Sequence, residues 1–244
     1  WQRHFGRGLV ATPSDFGVRG EKPTHPELLD YLANELIRNG WKLKPLHKLI
    51  MSSAVYRTTS DNEAAKEKID RDDLLLWRFR PRRLEAEAIR DSLLFVSGQL
   101  DEKMYGQGTL DEGSKRRSIY FTVKRSRVIP MLSIFDAPDG TVGVAERPAT
   151  TIAPQALLLL NNPHVRVWAK GLAQRIATEK EGDNIRQIYR LTLSRNPTKD
   201  EQADAEAFLK TQETAYKGKT DAKQLALTDF CQVLFCLNEF VYVD

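Results

Sequence analysis

Arginines interleaved with carboxylates mark the middle of this 244-residue chain. Arg83, Glu85, Glu87, Arg90 and Asp91 lie within one short stretch, and Arg125, Asp136 and Arg147 follow downstream. A guanidinium is a planar, permanently charged fork that binds carboxylates bidentately, so two kinds of chemistry fit the set. One is an internal ion-pair network that ties a loop-rich middle to the helices around it. The other is an arginine-lined recess for an anionic ligand, such as an acidic or sulfated sugar. In that second case a carboxylate such as Glu85 would act as general base while arginines hold the anionic part of a substrate. The ion-pair network is the first expectation.

Other chemistry-bearing residues are sparse. Lys115, Arg116, Arg117, Lys124, Arg125 and Arg127 form a basic cluster with no acid among them. Tyr120 and Phe121 sit within it and could offer stacking surface, although alternation along a strand would send them to opposite faces. His4, His25, His47 and His164 lack the spacing of a metal site, so each reads as a cap, a surface group or a satisfied core residue. Cys231 and Cys236, five apart in an apolar stretch, read as two small buried hydrophobes facing different ways. The sequence has no Gly-x-Ser-x-Gly, no P-loop and no Cys-x-x-Cys-His, and hence no covalent haem attachment of its own.

Composition narrows the class. Hydrophobic residues make up 41% and charged residues 29%, which suits a folded chain and argues against disorder. No apolar run approaches the ~20 residues of a membrane span. The net charge of +4 is spread thinly: residues 148–244 hold 12 basic and 12 acidic groups, and residues 61–75 hold 3 and 6. That balance disfavours a phosphate-backbone binder, which needs a strong basic stripe.

The elements that must position these groups are mostly helical. Thr24 and Glu27 have capping-box spacing ahead of Leu28, Leu29, Leu32 and Leu36, and Pro45 opens a second helix. Residues 61–73 read as a solvated connection or short exposed helix. A central helix is expected over residues 82–100, with Arg83, Glu87, Arg90 and Asp91 on one face and apolar residues over most of the rest. Alternation at residues 119–124 suggests a weak strand. Beyond residue 150 five helices follow, the fourth opened by a Thr198–Glu201 capping box. The expected fold is a mostly α, multi-helix globular domain with a loop-rich middle and one short strand or hairpin. It is read as one domain over 1–244, in three parts: about 1–75, 76–147 and 148–244.

Several stretches resemble one family in order and spacing: residues 1–10, 15–17, 25–30, 40–41, 46–50, 83–91, 120–125, 135–139, 150–161 and 238–244. The chain resembles the C-terminal PSD-type domain of unknown function of planctomycete surface proteins. That resemblance implies an exported polypeptide, at the periplasm or cell surface, in which a haem-carrying cytochrome c domain precedes this one. On this basis the chain is a piece of a longer protein, with no cofactor in this part and haem c in a missing domain. The resemblance brings no catalytic residues. The expected function is an accessory or interaction domain contacting other domains of the same polypeptide or an acidic glycan. The alternative is a redox or carbohydrate-active enzyme with its site among the central arginines and carboxylates.

Overall fold

Apolar residues recur at three- and four-residue spacing along most of the sequence, and helices form wherever they do. A computed structural model describes residues 1–141, 143–178 and 182–243, so the last residue of the 238–244 motif, Asp244, lies outside the described residues. The chain is a multi-helix globular protein with one two-stranded sheet, divided into two compact units at Arg82/Arg83.

The first unit carries α1 (Gln2–Phe5), α2 (Pro26–Arg38), α3 (Leu43–Met51) and α4 (Ala64–Ile69). Its apolar centre is small: Leu9, Ile50 and Phe79 are buried. Tyr56 meets Phe5 and Phe79 edge-on, at 5.8 and 5.7 Å between ring centres. The expected Thr24 cap of α2 does not form. Thr24 spends both its N–H (2.8 Å) and its hydroxyl (3.3 Å) on the Leu9 carbonyl, and His25 takes the N-cap position instead. The short exposed helix expected within residues 61–73 is α4.

The second unit begins at Arg83, inside β1 (Arg82–Arg83), a strand that pairs with β2 (Tyr242–Val243), and holds α5 (Ala86–Val96) and α6 (Pro130–Ile134). Then come α7 (Ala153–Asn161), α8 (Pro163–Thr178), α9 (Asn184–Leu193), α10 (Lys199–Ala215), α11 (Ala222–Phe235) and α12 (Asn238–Val241). Ile89 and Leu93 of α5, Val165, Leu172 and Ile176 of α8, and Phe235 of α11 are fully buried, so these three helices make the core. The Thr198 capping box forms as expected: the Glu201 N–H donates to Oγ1 at 3.2 Å and the Thr198 N–H donates to the Glu201 carboxylate at 2.7 Å. Cys231 is buried and Cys236 half-buried, and both are free thiols. Among the described residues no helix is long and apolar enough to cross a membrane.

Two expectations about the middle are corrected. The helix expected from residue 82 starts only at Ala86, with Glu85 as N-cap, and Arg83 lies in extended chain. The reason is tertiary, because the Leu84 N–H donates to the Val241 carbonyl at 2.8 Å and draws residues 82–84 into pairing with the chain's end. The strand expected over 119–124 is instead a 3₁₀ turn, Ser118–Tyr120, followed by one bridge between Thr109 and Phe121. Here the Tyr120 and Phe121 N–H groups donate back to Arg117 and Ser118, both at 3.0 Å, which closes a turn in place of a ladder.

Candidate functional site

Three separate knots consume most of the predicted charges. In the first, the Arg83 Nη2 donates to Asp136 Oδ2 at 2.5 Å, with side chains only 4% and 14% exposed. Arg83 also donates to the Phe135 carbonyl and lies over the Phe135 ring. Asp136 adopts φ +64°, a left-handed conformation that a short polar residue tolerates better than a branched one. Its carboxylate further accepts the Thr150 N–H and hydroxyl, each at 2.8 Å. Both its oxygens are therefore occupied, and the knot fastens α6 to the segment leading into α7.

The second knot joins Arg147 to Glu87 at 2.6 Å and to Glu85 at 3.1 Å. Glu85 occupies the N-cap position of α5 without a side-chain capping bond, and Glu87 stands in its first turn, where the helix dipole favours negative charge. Arg147 thus holds two carboxylates that the α5 start already favours as anions.

The third centres on Arg90, which has no exposed surface. Its guanidinium donates to the carbonyls of Glu112 (3.1 Å), Arg116 (3.1 Å) and Ser114, and to the Ser118 hydroxyl (3.2 Å). It lies over Phe121 at 4.6 Å and Trp168 at 5.7 Å, so a cation is enclosed by carbonyl dipoles and ring faces. Burial lowers its pKa, opposed by the nearby charges of Asp91, Glu112 and Asp111. Asp91 serves the same loop, accepting the Ser118 N–H at 2.7 Å. Arg90 and Asp91 therefore shape residues 112–118 and present nothing to a ligand.

Arg125 is the exception. It is exposed and donates only to the Gly140 carbonyl, at 3.3 Å. Beside it a cleft of about 200 Å³ opens between residues 118–129, α6 and the turn at 137–139. Phe121, Ile129, Leu132, Ala137 and Pro138 give it apolar walls, and Glu87 and Asp139 also border it. Asp139 is held below the usual carboxylate range by the Thr141 hydroxyl (2.6 Å) and N–H (2.9 Å). Lys124 and Arg127 stand at the cleft and make no ion pair with any described residue. Both belong to the basic cluster visible in the sequence. Their pairing state is not visible there, because it depends on which acids the fold brings near. Among the described residues no three His, Cys, Asp or Glu side chains converge as a metal site.

Two arrangements have no signature in the sequence. The His4 Nε2 and His47 Nδ1 lie 2.7 Å apart, joining α1 to α3 across 43 residues. Arg195 grips Glu201 through two bonds of 2.7 Å and Glu239 through bonds of 2.6 and 2.7 Å. Only their close approach in space, which no local spacing encodes, identifies them.

A family model described as PSD1, protein of unknown function (DUF1553), matches residues 1–209. The resemblance read at 238–244 lies beyond that span. No curated protein and no solved structure matches the chain.

Proposed function

We propose, from the premise that this chain belongs to the PSD1 family of proteins of unknown function (DUF1553), that it is an accessory interaction domain. Its context in this reading is a larger exported, cytochrome c-associated planctomycete protein, and its work is contact with another protein surface or an acidic glycan. The observation that carries the reading is the division of labour among the arginines. Arg83, Arg90 and Arg147 are spent on internal partners, whereas a concavity beside them has apolar walls and is flanked by Lys124 and Arg127, which make no ion pair with a described residue. Apolar surface next to unspent charge is the composition of a recognition patch.

A general base needs a lone pair free to meet a substrate proton. Of the carboxylates at the cleft, Asp139 is held below the usual range by Thr141, which makes it a weaker base, and Glu87 is ion-paired to Arg147 through one oxygen; the second oxygen of each is left open. The test is equilibrium binding of the 244-residue chain to a cytochrome c domain of the same polypeptide, and to acidic and neutral polysaccharides. Saturable binding that weakens in Lys124→Glu/Arg127→Glu is the expected result. No binding to any of them would sink the reading.

A further inference from the structure

The cleft also bears on what this chain does with copies of itself. Its volume of about 200 Å³ is below the ~300–1,000 Å³ of small-molecule and cofactor sites. That size suits one or two apolar side chains. Ile119 (70% exposed) and Val123 (74% exposed) extend its apolar lining onto the surface. Polar groups stand among the apolar ones, and of these Ser118 is already bonded to Asp91 and Arg90 and Asp139 to Thr141. Lys124 and Arg127, without an ion pair to any described residue, call for carboxylates beside such a side chain.

The chain itself carries a segment of that chemistry. Residues 61–75 hold 6 acidic and 3 basic groups, a net acidic stretch. At its end Ile69 is 84% exposed and Leu75 67% exposed, with Asp70, Arg71 and Asp72 between them and the buried Asp73 paired to Arg80. The turn is preformed, since the Asp70 carboxylate accepts the Leu74 and Leu75 N–H groups at 2.9 and 2.7 Å. A preformed turn loses little conformational freedom on docking. Residues 114–127 on the cleft side hold 6 basic groups and no acid, the opposite pattern.

We infer that the chain self-associates head to tail: the 69–75 turn of one copy seats Leu75 in the cleft of a second, and Lys124 and Arg127 meet Asp70 and Asp72. This rests on the interaction reading above and specifies a partner for its cleft. The two surfaces differ, so the contact is heterologous and does not have to stop at two copies.

The test is sedimentation of the 244-residue chain from about 10 µM to about 1 mM, the range of weak contacts, in about 0.05 M and about 0.5 M salt. The expected result is a weight-average mass that climbs steadily above 27.8 kDa at low salt and falls back at high salt. Lys124→Glu/Arg127→Glu and Asp72→Lys/Leu75→Ser alter exposed side chains, and each alone should stay monomeric. Mixed together, one supplies an intact turn and the other an intact cleft, so they should form a 1:1 complex and stop. A wild-type chain monomeric throughout, or variants that still assemble alone, would each overturn the proposal. A monomer that nevertheless binds the cytochrome c domain overturns only this proposal and leaves the interaction reading standing. A monomer that binds neither that domain nor a glycan overturns both.

Discussion

Arg90 shows what one side chain does when it is buried without a close carboxylate. Asp91 lies 3.9 Å away, so the guanidinium depends on carbonyls, a hydroxyl and two ring faces. Arg90→Met keeps the length and removes the donors, leaving those carbonyls unsatisfied. It should cost about 3–5 kcal/mol and expose residues 103–118 to limited proteolysis. Unchanged melting and cleavage would show that the loop is held by something else. Gly140 is constrained differently: its φ is +75°, and a Cβ there would lie 2.6 Å from Val123 Cγ1. Gly140→Ala should lose about 1–2 kcal/mol. Val123→Ala in the same chain should restore only the steric part, since the backbone strain stays. Full rescue would contradict the backbone argument. At His4, burial first and then the neighbouring His47 hold the pKa below 6.5. The unfolded chain then binds the proton more readily, so stability is whole above pH 6.5 and is lost as pH falls from there through the folded value. Melting temperature should drop between about pH 7 and pH 5. His47→Asn should make that dependence shallower, and an unaltered slope would count against the pair.

Among the elements, the start of α10 combines a cap with an ion-pair hub. Thr198 satisfies the first-turn amide of Glu201, while Arg195 holds Glu201 to about 2, well below its usual 4.5, chiefly through the side-chain hydrogen bond. Arg195 also grips Glu239 at the start of α12, so one guanidinium ties two helix beginnings together. Thr198→Ala should cost about 1 kcal/mol, independent of pH near neutrality. The Glu201 contribution has the sign of a depressed carboxylate, present above pH 4.5 and lost as pH falls from there toward about 2. Acid unfolding followed by circular dichroism should begin at a higher pH in Arg195→Met than in the parent chain. Coincident acid midpoints would remove the hub from the account. The cap was legible in the sequence because its donors and acceptors are three residues apart. Arg195, Glu201 and Glu239 could be joined only once α10 and α12 were in place.

At the scale of the molecule, the two units differ in what holds them. Leu9, Ile50 and Phe79 are the buried hydrophobic residues of residues 1–82, whereas α5, α8 and α11 enclose a continuous core in residues 83–243. Hydrogen exchange should therefore protect α8 and α11 far longer than α2 and α3, since local opening costs less where little apolar surface is buried. Equal protection would contradict that ranking. The sequence alone determined the helical class, the positions of α7 to α11 though not of the short α12, and the expectation that the central arginines are internally paired. Each rests on short-range spacing: apolar residues every three or four positions, caps three apart, charges at complementary density. Tertiary structure alone decided that Arg83 leaves the helix to meet Asp136, that residues 118–120 turn where a strand was expected, and that Lys124 and Arg127 remain unspent beside an apolar cleft. Those outcomes depend on partners tens of residues away, whose approach is set by how the helices pack and not by any local pattern.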